Sequence, residues 1–217
     1  MNRHHSVLVL VLLVIRALPV GAQSKPAYLD EPATVTIVGS PAPGDTIPLV
    51  IALPTSGASG ADVFSTLQDN LPISAYALLL PHGAPKLREV TASFSNYVQW
   101  YEARLLEDVR EALKNHPIDP ARVFLVGFSL GGDVGCALLS RHPELYRGAF
   151  IIRSRCSAML STSGLATFVQ RDGRVAFAIG SADDTARITG ITTAYERLRA
   201  AKITTRFATF EGRSGSQ

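Results

Sequence analysis

Seven short apolar runs, set apart by segments of helical periodicity, constrain this chain more than any other feature. The runs are Thr34–Val38, Ile47–Leu53, Ala75–Leu80, Arg122–Phe128, Gly148–Ile152, Arg174–Ile179 and Ile203–Phe210. Most are nearly continuous rather than alternating, the pattern of strands covered on both faces. Helices are predicted between them, the first over about Gly60–Asn70. A second, about Tyr97–Asn115, sets Val98, Tyr101, Leu105, Val109 and Leu113 along one stripe and stops before Pro117. A third begins just after Ser129 and runs to Arg141, ahead of Pro143, and a fourth covers Ala186–Ala201 with Tyr195 and Leu198 as anchors. Residues 157–170 fit no single reading. Strand–helix alternation of this kind predicts a three-layer α/β sandwich, a mostly parallel sheet with helices on both faces. In such sheets a site lies at the carboxyl ends of the strands.

Composition narrows the function classes. At 217 residues, the chain has room for one domain with a sizeable core. With 47% hydrophobic and 18% charged residues, it is neither disordered nor a coiled coil. Two cysteines exclude a disulfide scaffold and a Cys-rich zinc module. The net charge of +3 comes without a Lys/Arg cluster interleaved with aromatics, which argues against a nucleic-acid partner.

Residues 1–22 read as a secretory signal, leaving residues 23–217 as a single domain. Arg3, His4 and His5 give a basic start, Val7–Ile15 is an unbroken apolar run, and Val20-Gly21-Ala22 offers small residues for cleavage after Ala22. Arg16 interrupts the run, which is too short to span a bilayer, where about 20 apolar residues are needed. An uncleaved membrane anchor is the rival reading. The expected location is secreted or periplasmic, with no membrane span in the mature chain. An oxidising compartment would let Cys136 and Cys156 pair. Two separate small core residues is the slightly favoured reading, because cysteine is often buried unpaired.

The sharpest local signal follows the fourth run, where Arg122-Val-Phe-Leu-Val leads into Gly127-Phe-Ser129-Leu-Gly131-Gly132 and a helical pattern follows. Strand, Gly-x-Ser-x-Gly and helix in that order form the context of a nucleophile elbow. A serine held in a strained turn brings neighbouring backbone close, and glycines two residues either side lack the Cβ that would collide. The turn would also place the Leu130 N–H at a helix N-terminus, where it can bind a developing oxyanion. The alternative is a Gly-rich turn with a serine cap.

The stretch Ile118-Asp-Pro-Ala-Arg-Val-Phe-Leu-Val-Gly-Phe-Ser-Leu-Gly-Gly, with His142-Pro143-Glu144-Leu145-Tyr146 after it, resembles the α/β-hydrolase superfamily. The resemblance is closest to small secreted serine esterases of carboxylesterase/phospholipase-like, dienelactone-hydrolase-like and polyhydroxyalkanoate-depolymerase-like kinds. It extends over about Thr46–Gly212, with only the elbow block specific. It implies a Ser–acid–His triad in that chain order, acting on small or polymeric carboxylic esters without metal or organic cofactor. Ser129 matches the nucleophile. Asp183, in Gly180-Ser-Ala-Asp183, matches the acid, with Asp184 as the adjacent alternative; either would also suit the N-cap of the following helix. Leu130 and Ser56 match the oxyanion donors, Ser56 lying in Leu53-Pro54-Thr55-Ser56-Gly57, where Thr55 replaces the family's usual glycine.

The family's base is the one part with no counterpart. Glu211-Gly212 matches the approach to it, positions 213–215 should hold it, and no histidine occurs beyond His142. His82, in Pro81-His82-Gly83 at a strand exit, is a remote substitute; His116 and His142 read as structural. The expected fold is therefore a C-terminally incomplete α/β-hydrolase. The chain reads as an impaired or truncated esterase, a non-catalytic ligand-binding relative, or a peptidase or thioesterase on the same scaffold. Tyr97, Trp100 and Tyr101 lie ahead of the elbow and read as core aromatics in preference to a substrate border.

Overall fold

The computed structural model describes residues 24–65, 67–68, 73–156 and 162–212. The expected signal segment and positions 213–215 lie outside the described residues. The elements follow in the order β1 (Thr34–Val38), β2 (Ile47–Leu53), α1 (Gly60–Ser65), β3 (Tyr76–Leu80), α2 (Leu87–Thr91), α3 (Phe94–Asn115), β4 (Ile118–Phe128), α4 (Leu130–Arg141), β5 (Gly148–Ile152), α5 (Thr162–Gln170), β6 (Arg174–Gly180), α6 (Thr185–Ala200) and β7 (Thr204–Phe210). All seven apolar runs are strands. They form one sheet in the order β1-β3-β2-β4-β5-β6-β7, parallel throughout except for β1, which pairs antiparallel to β3 at the edge.

The continuous apolar character of β2 has a direct cause: all seven of its residues are buried. Leu49, Ile51 and Leu53 enter one apolar cluster, together with Leu105 and Val109 of α3 and Leu138 of α4. Val50 and Ala52 enter a second cluster with Phe64 of α1. Alternate residues of one strand thus feed opposite faces of the sheet. Tyr97 and Tyr101 are buried core residues and Trp100 packs against the same cluster, as expected for aromatics on an inward helix face.

Several boundaries differ from the sequence expectation. Helix α3 starts at Phe94, because Ser93 accepts from the Asn96 N–H and caps it. Leu87–Thr91 forms an unanticipated short helix. Helix α1 is described only to Ser65. The unassigned stretch contains α5. The cysteine expectation is corrected: Cys136 of α4 and Cys156 of the β5–α5 connection form a disulfide, with Cα atoms 5.3 Å apart. The two residues are far apart in sequence but β5 lies beside β4, so the loop leaving β5 passes over the helix leaving β4. No described helix is long and apolar enough to cross a membrane.

The register aligns the strand exits. Leu53 pairs with Gly127, Phe128 with Ile152, Ile152 with Ala178 and Gly180 with Phe210. The loops after β2, β4, β5 and β6 therefore gather at one end of the sheet.

Candidate active site

Ser129 is the turn between β4 and α4. Its backbone sits at φ 51° and ψ −114°, a conformation that favours glycine, and its side chain makes no capping bond to the helix. The serine-cap alternative is thereby set aside. The turn is held by Ser129 N–H donating to Ile152 O at 2.8 Å and by Asp133 N–H donating to Ser129 O at 3.1 Å. The flanking glycines are sterically required. A Cβ on Gly127 would lie 2.4 Å from Gly131 O, and one on Gly131 would lie 2.7 Å from Pro54 O.

Two residues with backbone donors, Leu130 and Ser56, share a cavity lining with this serine. Leu130 opens α4, and its N–H has no acceptor within the helix. In the loop after β2, Thr55 N–H donates to Ala58 O and Ala58 N–H to Thr55 O, at 3.0 and 3.1 Å, while Gly57 N–H donates to Pro85 O at 3.0 Å. These bonds shape the loop and leave the Ser56 N–H without an acceptor among the described residues. Thr55 keeps φ outside the left-handed region, so its Cβ is accommodated where the family has glycine. Ser56, Ser129 and Leu130 line one cavity of about 520 Å³, together with the apolar Leu87, Val90 and Phe94 and the charged Asp133, Arg155 and Arg187. A second, mainly apolar cavity of about 240 Å³ lies beside Phe128, Ile152, Val63 and Leu67.

Asp183 and Asp184 separate into two roles. Asp184 is the N-cap of α6, accepting from the Ala186 and Arg187 N–H groups. The Asp183 carboxylate is buried and carries three donors: Arg153 Nε at 2.5 Å on Oδ2, and the Asp184 N–H at 2.7 Å and Arg187 Nη1 at 3.3 Å on Oδ1. Burial pushes this carboxyl up, but the Arg153 hydrogen bond, the Asp184 N–H, the Arg153 charge and Arg187 outweigh it and hold it below its ordinary value. Arg153 also lies 5.8 Å from the Phe128 ring centroid.

None of the histidines joins this group among the described residues. His82 pairs with Glu31 at 3.2 Å and lines a separate, water-sized cavity with Tyr28, Tyr101 and Asp108. His142 ends α4 between Glu102, at 2.7 Å, and Glu144, at 3.1 Å, and His116 caps α3.

Sequence reasoning missed four residues here. Asp133 Oδ1 accepts from Ser154 Oγ and from the Arg155 and Cys156 N–H groups, at 2.7, 2.9 and 3.0 Å. It fastens the β5–α5 connection to the first turn of α4. Arg153, Arg155 and Arg187 converge from β5 and α6. The one available signal was the Arg153-Ser-Arg155-Cys156 string directly after a strand, which shows its meaning only once β5 is known to neighbour β4.

A scan against protein-family models finds no match, and a search of curated proteins finds none. Solved structures do match. A phospholipase/carboxylesterase from Dyadobacter fermentans is 17% identical, with a TM-score of 0.59 over 83% of this chain and 88% of that one. Esterase PE8 is 18% identical, with a TM-score of 0.61 over 86% and 92%. MGS-M1, an α/β-hydrolase enzyme from a Medee basin deep-sea metagenome library, is 15% identical, with a TM-score of 0.57 over 83% and 77%. The chain has the α/β-hydrolase fold. Ser56, Ser129 and Asp183 follow β2, β4 and β6 and so leave the parallel sheet at the same end. Among the described residues no group of three or more His, Cys, Asp or Glu is placed to hold a metal ion.

Proposed function

We propose that this chain is a serine hydrolase acting on carboxylic esters through an acyl-enzyme at Ser129. The observation that carries the reading is Ser129 itself: strained at φ 51°, unused as a cap, and set in a cavity with the Leu130 and Ser56 backbone. In this mechanism the Ser129 hydroxyl oxygen attacks the ester carbonyl. The Leu130 and Ser56 N–H groups would stabilise the oxyanion; as it collapses the ester C–O bond breaks, the proton given up by the Ser129 hydroxyl leaves with the alcohol, and water then hydrolyses the acyl-enzyme to free the acid and restore the hydroxyl. Asp183 is the acid that would orient a histidine base and stabilise its imidazolium.

A fluorophosphonate probe tests the nucleophile. Covalent labelling that disappears in Ser129→Ala supports it, and absence of labelling on folded protein refutes it. Any hydrolysis of short nitrophenyl esters is expected to be abolished by Ser129→Ala.

The second reading is a ligand-binding protein that keeps the cavity without catalysis. The observation favouring it is the Asp183 carboxylate, already occupied by Arg153 and Arg187.

Export belongs to the same proposal. Residues 1–22 act as a signal cleaved after Ala22, and the Cys136–Cys156 disulfide suits an oxidising compartment. N-terminal sequencing of the exported protein is expected to begin at Gln23.

A further inference from the structure

We infer that the Ser129 cavity selects esters that also carry a carboxylate on an apolar chain, and that Arg155 recognises the carboxylate. The inference rests on the proposed nucleophile for its catalytic half and on the cavity walls for its binding half.

The cavity lining is chemically mixed. Leu87, Val90 and Phe94 give it an apolar part, and Leu87 is 56% exposed, an apolar side chain left facing solvent. Arg155 and Arg187 bring positive charge to the same lining, and Asp133 is the carboxylate among its described residues. Asp133 is already occupied through Oδ1 by Ser154 and two backbone N–H groups. Arg187 gives one nitrogen to Asp183 at 3.3 Å, a carboxylate that Arg153 already neutralises at 2.5 Å. The Arg155 guanidinium forms no ion pair among the described residues.

An exposed arginine is ordinarily a solvated surface group. Arg155 differs because its backbone is fixed from several sides. Its N–H donates to Asp133 Oδ1 at 2.9 Å, and the next residue is tied to α4 by the Cys136–Cys156 disulfide. Its carbonyl lies against α6 so closely that a Cβ on Gly190 would be 2.0 Å from Arg155 O. Glycine at position 190 thus lets α6 approach this loop, and Arg187 of the same helix shares the cavity lining with Arg155. A fixed backbone under a guanidinium with no ion pair among the described residues, in the lining of the cavity that holds the serine, is a preorganised anion site. The guanidinium fork matches a carboxylate in two parallel hydrogen bonds, while methylenes of the same molecule would rest on the apolar part of the lining.

The test uses the full chain carrying Ser129→Ala, which binds without turnover. Calorimetry compares monomethyl adipate, an anion, with dimethyl adipate, its neutral counterpart. The anion is expected to bind about tenfold or more tightly, less so at high salt. Arg155→Gln, checked for folding by its melting curve, is expected to erase the preference, whereas Arg155→Lys keeps its sign and reduces its size. Equal affinities, no binding of either ester, or a preference that survives Arg155→Gln would overturn the inference. Fluorophosphonate labelling of the parent chain reports separately on the nucleophile. Labelling without an anion preference removes this inference alone, and an anion preference without labelling removes the catalytic reading alone.

Discussion

Arg153 donates its Nε–H to Asp183 Oδ2 at 2.5 Å, so the carboxylate expected to face a histidine is turned toward a cation. With Arg187 and the Asp184 N–H on Oδ1, three of about four acceptor positions are filled.

This arrangement sets an acid limb on stability. The Asp183 carboxyl is held below the ordinary value of 3.8 in the folded state. Between the folded and unfolded values the unfolded chain binds more protons. The stabilisation is therefore complete above the ordinary value and is lost as pH falls through the lowered one. Urea midpoints measured from neutral pH down to about pH 3 should show the loss. Asp183→Asn should flatten that limb. It should also cost about 1–3 kcal/mol at neutral pH, because two partly buried arginines lose their counter-charge.

Ser129→Gly should raise stability by about 1 kcal/mol, since glycine adopts φ 51°, ψ −114° without steric cost. Ser129→Ala keeps the Cβ and should give no comparable gain. Denaturant midpoints of the two variants, both lacking the hydroxyl, separate backbone strain from chemistry.

Gly127→Ala should lose about 2 kcal/mol, because its Cβ would meet the Gly131 carbonyl oxygen at 2.4 Å and backbone must move to admit it. The same displacement shifts Ser129, so fluorophosphonate labelling should slow in protein that remains folded below its melting transition.

Replacing both cysteines by alanine should cost about 3 kcal/mol, the scale for closing a loop of roughly this size. The sequence separation is 20. Thermal melting with and without reductant should show the same difference in the parent chain and none in the double variant.

Much of this was legible beforehand. The seven apolar runs gave the strands because a strand covered on both faces must be apolar at every position, as β2 is. The elbow was legible because its glycine demands are local. What escaped depended on lateral neighbours. Asp133, Arg153 and Arg155 carry no local signal, because their partners are brought to them only when β5 is set beside β4 and β6. The cysteines read as unpaired because only the pairing of β4 with β5 brings position 156 over α4. The extra turn of α3 escaped because an apolar stripe does not report its cap.

The strand order carries a consequence for motion. Ser129 leaves β4, which is enclosed by β2 and β5, whereas Asp183 leaves β6, one strand from β7, whose residues are mostly exposed. Amide exchange should therefore be slowest under the serine and faster toward the acid, because openings begin where few apolar contacts resist them. The two halves of the site stand on ground of unequal firmness. Fraying at β7 reaches the Arg153–Asp183–Arg187 ion group long before it reaches the elbow, so the charge balance of the cavity can fluctuate while the serine stays in place.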